Sequence, residues 1–167
     1  MASLLSSTQA WRIGLINGPN MSNLGRRDKA IYGPFNSIGE LEDFVERALR
    51  NLECELTMRL CSNHEGEIVE WIHHRRDDVD GLLVNPAGLS AVGQPMRDAL
   101  RDCGLPWIEV HCGNLAVLKQ QSIFTDWASG TCHGMKGYSY VAGAAGLVGV
   151  LEELHAKAGP TSGEPHD

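Results

Sequence analysis

A chain of 167 residues, 43% hydrophobic and 21% charged, is long enough to bury one core and too short for two ordinary domains. That balance excludes a disordered chain and a membrane-spanning bundle, and a formal net charge of -7 argues against general affinity for nucleic acid or anionic membrane. A local basic pocket for an anionic metabolite stays open, with Arg26 and Arg27 as its candidate cations.

The opening MASLLSSTQA has neither a basic flank nor an adequate apolar stretch, so no secretion signal is expected and residues 1–11 read as a short tail. Arg12 to Asn17, RIGLIN, is a short apolar run ended by Gly18-Pro19, the pattern of a strand buried on both faces. The next loop, up to Tyr32 and Gly33, is too long and polar for a mere connection and reads as a lid. Ser37 and Glu40 form a capping-box pair ahead of Ile38, Leu41, Phe44, Val45, Ala48 and Leu49 at helical spacing. Glu55 to Leu60 is the second strand, and Glu65 to Arg76 a helix with Ile68, Val69 and Ile72 on one face.

Gly81 to Val84 reads as the third strand, Gln94 to Asp102 as a helix, and Trp107 to Val110 as the fourth strand. A polar helical segment is expected near Leu115 to Gln121, then a short strand before Gly134 and a closing helix from Ala142 to Leu154. The Gly- and Pro-rich end reads as a flexible tail over residues 157–167, which leaves one domain over residues 12–156. Cysteines 54, 61, 103, 112 and 132 form no C-x-x-C pair and no metal-ligand spacing, so free thiols in the cytoplasm are expected.

Short strands alternating with helices call for α/β architecture: a flavodoxin-like three-layer sandwich around a five-stranded parallel sheet. In such sheets ligands bind beyond the carboxyl ends of the strands. Four segments should therefore meet in one cleft: Asn17 to Tyr32, Ser62 to Glu65, Asn85 to Ser90 and His111 to Asn114. Tyr32 lies five residues after Arg27, and a fixed positive charge near a phenol favours phenolate, a usable base. Glu109 and His111 share one face of a strand end, where a carboxylate orients an imidazole and favours its protonated form. The amides of Cys112 and Gly113, placed at the start of the expected helix, offer an anion nest that the Asn85 amide can join. His73, His74 and His133 have no obvious partners and read as solvated or packing residues.

The blocks NGPNMSNLGRRDKAIYG, SNHEGEIVEWIH, LLVNPAGL and WIEVH resemble the type II dehydroquinases, the 3-dehydroquinate dehydratases of shikimate synthesis and quinate breakdown, over roughly residues 12 to 155. The resemblance implies Tyr32 as the base that takes a proton alpha to a ketone, with Arg27 beside it, and Asn20 holding a water against the enolate. It further implies that His111, oriented by Glu109, protonates the departing hydroxyl, while Asn85, Cys112 and Gly113 bind the carboxylate. It implies no metal or organic cofactor, and a homododecamer built from trimers in which Asp98 reaches a neighbouring subunit's site.

The chain also departs from the family pattern. Ala91 stands where the family has a His that binds ring hydroxyls. The stretch NLAVLKQQSIFTDWA contains neither of two family arginines and is about three residues short, with Lys119 able to replace one. Groups for proton abstraction and carboxylate binding remain while groups that read hydroxyls are gone, which predicts a substrate other than dehydroquinate. Two alternatives stay open: an ordinary 3-dehydroquinate dehydratase, and a non-catalytic oligomeric binding protein.

Overall fold

A computed structural model describes residues 10–158 of the chain. Five parallel strands, β1 (Trp11–Asn17), β2 (Cys54–Cys61), β3 (Gly81–Asn85), β4 (Trp107–His111) and β5 (Gly130–His133), form one sheet in the order β2-β1-β3-β4-β5. This is the expected flavodoxin-like order. The last five residues of β1 and all of β3 and β4 are buried, as near-continuous apolar runs require, whereas the flanking β2 and β5 are only partly buried.

Helices cover both faces. On one side lie α2 (Ile38–Asn51) and α5 (Tyr138–Ala158), with Leu41, Val45, Leu49, Ala144 and Leu147 packed against Ile13, Leu15, Leu83 and Val110. On the other, α3 (Glu65–Arg75) and α4 (Gln94–Cys103) bring Ile68, Ile72, Met96 and Leu100 onto Ile16, Leu82 and Val84. Ser37 caps α2 by accepting from the Glu40 amide at 3.1 Å, while the Glu40 carboxylate returns to the Asn36 amide rather than to Ser37. The helix α5 sits unusually close to the sheet. A Cβ on Gly143 would come within 2.7 Å of Val110 Cγ1, so glycine is what permits this approach, and Tyr140 one turn earlier is carried beneath the strand ends.

Several expected boundaries shift. β1 starts at Trp11, which pairs with Cys54, so the tail ends earlier than residue 11; residues 1–9 lie outside the described residues. α5 starts four residues before Ala142 and runs to Ala158, so positions 157 and 158 are helical rather than tail, aided by a Lys157–Glu153 pair at 2.7 Å. Residues 159–167 of the expected tail also fall outside the described range.

The helix expected near Leu115 to Gln121 does not form. Asn114 Oδ1 instead accepts from the amides of Ala116 and Val117, and Lys119, in the left-handed region at φ 53°, stops the chain after one turn. So short a segment, with Val117 76% exposed, has too little apolar packing to repay helix nucleation. All five cysteines are free.

Candidate active site

The carboxyl ends of β1 and β3 pair in register at Asn17 and Asn85, where the strand order reverses. Above them lies a cavity of about 110 Å³ whose wall includes Asn20, Arg27, Tyr32, Asn85 and His111, together with Cys112 and Gly113. Three of the four expected segments reach it. The Ser62 to Glu65 loop does not, because Asn63 is turned toward the first loop and accepts from the Asn20 amide at 2.8 Å. Arg26 is exposed and stays outside the wall, so Arg27 is its cation.

The segment expected as a lid is folded in this structure. It forms a 3-10 turn over Met21–Arg26 and a short helix α1 (Lys29–Tyr32), anchored by the buried Met21 and Leu24. Asp28 caps α1 by accepting from the Ala30 amide at 2.8 Å. Arg27 Nη1 lies 3.7 Å from Met21 Sδ, and its guanidinium lies over the Tyr32 ring with Cζ 3.5 Å from the centroid. The cation thus meets the aromatic face, an attraction of about 0.5–2 kcal/mol.

His111 and Glu109 form the expected oriented pair. Their Nε2–Oε1 separation is 2.7 Å, and the second carboxylate oxygen accepts from Thr125 Oγ1 at 2.7 Å. Burial pushes the Glu109 carboxyl up, but the hydrogen bonds from His111 and Thr125 outweigh it and hold the group below its ordinary value. The carboxylate therefore stays ionised beneath the imidazole. His111 Nδ1 has no hydrogen-bond partner among the described residues.

The anion nest loses one support and keeps another. No helix follows directly on Cys112 and Gly113, so that segment adds no macrodipole to the site. The amide N–H groups of these two residues nevertheless donate to no acceptor among the described residues, while their carbonyls accept from Lys136 and Gly134. Asn85 Oδ1 accepts from the Ala87 amide at 3.0 Å, which turns its Nδ2 toward the buried phenol of Tyr140 at 2.7 Å.

Two expected substrate-binding residues lie elsewhere. Asp98 sits on α4 with its carboxylate held by Arg97 at 2.8 Å, and it forms no part of this chain's cavity. Lys119 lines a neighbouring groove of about 310 Å³ with Ser90, Ala91 and Gln121 and is not in the wall that holds Tyr32. The two hollows share Ala87, Gly88 and Gln120. His73 and His74 are exposed on α3 and far from the cavity wall, and His133 is beside His111 in the sheet register without lining the cavity.

Sequence reasoning missed Tyr140, Thr125 and Gln120. A tyrosine on the buried stripe of a helix needs a partner for its hydroxyl, and that was the one available signal for Tyr140. Thr125 and Gln120 are adjacent to Glu109 and the cavity only through the irregular chain after β4, which carries no periodicity to read.

Such a doubly wound sheet, with a tyrosine, an oriented histidine and bare amides at one cleft, has the architecture of a small α/β enzyme. A family model described as dehydroquinase class II matches residues 11–148, and the chain belongs to that family of dehydratases. It is 32% identical to the 3-dehydroquinate dehydratase of Halothermothrix orenii over 145 residues, covering 85% of this chain and 97% of that one. The 3-dehydroquinate dehydratase of Thermotoga petrophila is 35% identical over 146 residues, covering 86% and 99%. Among solved structures, the type II dehydroquinase of Butyrivibrio crossotus superposes with a TM-score of 0.75 at 28% identity, covering 83% of this chain and 98% of that one.

Proposed function

We propose that this chain dehydrates a cyclic keto-carboxylate by enolisation, with 3-dehydroquinate, after which its relatives are named, as the first substrate to consider. One observation carries the reading: Tyr32 with Arg27 on its face, and His111 on its buried Glu109, line a single small cavity. Tyr32, as phenolate, takes the proton alpha to the ketone, and the C–H electrons pass into an enolate. Arg27 supplies the positive charge beside the ring, and Asn20 holds a water against the enolate oxygen. Protonated His111 then gives a proton to the beta hydroxyl as the C–O bond breaks, so an enone and one water leave. Exchange of one proton between the two side chains through solvent restores the starting state. The free amides of Cys112 and Gly113, with Asn85, receive the substrate carboxylate.

A second reading, a substrate other than 3-dehydroquinate, is favoured by the groove beside the cavity. Ala91 leaves its floor without an imidazole, and Lys119 supplies a point charge in place of a bidentate guanidinium. Such a wall accepts a larger or differently substituted ring. Incubation with 3-dehydroquinate, followed through the ultraviolet absorbance of the conjugated enone, separates the two. Turnover above about 1 per second supports the first reading, and none detectable supports the second.

A further inference from the structure

Tyr140 is wholly buried, and its hydroxyl is the meeting point of the ends of β1 and β3. It donates to Asn17 Oδ1 at 2.8 Å and accepts from Asn85 Nδ2 at 2.7 Å. The Cys112 thiol at the end of β4 adjoins the same phenol.

These contacts fix more than position. The hydroxyl has one proton, and Asn17 takes it, so only its lone pairs face Asn85. The Asn85 amide is thus held from both ends, its N–H donating to Tyr140 and its carbonyl accepting from the Ala87 amide at 3.0 Å. Its second N–H meets only the soft Met21 sulfur at 3.5 Å, a weak acceptor that a carboxylate displaces. With the amide reversed, a carbonyl oxygen would face the incoming anion and repel it.

We infer that Tyr140 is a positioning residue for substrate binding: its hydroxyl, bonded to Asn17 and acting together with the Ala87 amide, holds the Asn85 amide so that an N–H rather than the carbonyl faces the substrate carboxylate. The inference rests on the proposed use of Asn85 as part of the carboxylate anchor. Burial pushes the Tyr140 phenol well above its ordinary range, so it stays protonated and the direction of the chain of hydrogen bonds persists across working pH. Tyr140 never touches the substrate.

Tyr140→Phe tests this by kinetics with 3-dehydroquinate and by calorimetric titration with quinate, a related ring carboxylate without the ketone. KM and the quinate dissociation constant should each rise roughly tenfold or more, as loss of a hydrogen bond to a charged group implies, while kcat stays within about threefold. In the Asn85→Ala background the same replacement should change either constant by less than about twofold, because the two residues act as one unit.

Removing the hydroxyl orphans two buried amides, so Tyr140→Phe combined with Asn17→Leu is the second variant, with an apolar pair in place of the polar one. It should show the same rise. Unchanged quinate binding in that variant, or equal effects of Tyr140→Phe with and without Asn85, would overturn the inference, as would a wild-type protein that does not bind quinate. Quinate binding by the wild type that weakens as expected in the variants, without turnover of 3-dehydroquinate, leaves the inference standing and removes 3-dehydroquinate as the substrate.

Discussion

Arg27 covers the face of Tyr32, with its guanidinium carbon 3.5 Å from the ring centroid, and the two side chains are held together by a turn anchored on buried Met21 and Leu24. A guanidinium over the ring places its charge beside the phenol without occupying the oxygen, which has no hydrogen-bond partner among the described residues. This arrangement links the loop's local structure to the chemistry proposed for the cavity.

Arg27→Ala should therefore reduce kcat/KM for 3-dehydroquinate by about 10²–10³, the usual scale for loss of one electrostatic group in an enclosed site. Arg27→Lys should recover only part, since a lysine keeps the charge but not the planar stack. Steady-state kinetics on the two variants checks both, and a Lys variant equal to the wild type would show that the stack is immaterial.

Glu109 carries a pH signature. Its carboxyl is held below the ordinary value in the folded protein, so the stabilisation it provides is complete above the unfolded value of about 4.3 and is lost as pH falls through the lower folded value. Glu109→Gln should cost about 1–3 kcal/mol at pH 7, and the difference from wild type should shrink below pH ~4. Denaturant unfolding at pH 7 and at pH ~3.5 measures it; a difference independent of pH would mean that the Glu109 carboxyl is not held ionised as described.

Cys112 lines the cavity, yet burial pushes its thiol up to about 11 and leaves it 2% exposed. Thiolate-directed alkylation at pH ~7.5 should therefore leave turnover of 3-dehydroquinate intact over an hour or more, at a reagent excess that modifies an ordinary exposed thiol. Rapid inactivation mapped to Cys112 by mass spectrometry would show that the site opens far more than the closed cavity implies.

Much of this molecule was legible in the sequence, and the reasons are local. RIGLIN, GLLVN and WIEVH are apolar runs of strand length, and their alternation with periodic helices admits few arrangements besides a parallel sheet. Glu109 and His111 could be paired from the pleat alone. The chain after β4 could not be read in the same way: a polar stretch of helical composition became a single turn, because Asn114 bonds its own following amides and Lys119 takes a left-handed conformation. Which hollow Lys119 lines could not be read from its position in the chain. Tyr140 was hidden for another reason, since its partners Asn17 and Asn85 are 123 and 55 residues away and meet it only through the register of β1 and β3.

Asp98 gives the chain a test beyond one subunit. Its carboxylate is bound by Arg97 and Arg101 on the surface of α4 and is outside its own cavity. We propose that the protein assembles as a trimer-based dodecamer in which Asp98 approaches a neighbour's site. Sedimentation should report a dodecamer, and Asp98→Ala should lower kcat/KM by about tenfold or more while leaving an isolated site's ligands in place. A monomer with full activity would remove this role.

The most direct measurement is the rate of enone formation from saturating 3-dehydroquinate by Tyr32→Phe, alongside the wild type and with the fold checked by circular dichroism. Loss of the phenol oxygen should lower kcat by at least about 10³-fold, since His111, the other proton-transfer group of the cavity wall, acts at the departing hydroxyl rather than at the alpha carbon. A folded Tyr32→Phe protein turning over within about threefold of the wild type would contradict the assignment of the base and with it the proposed chemistry.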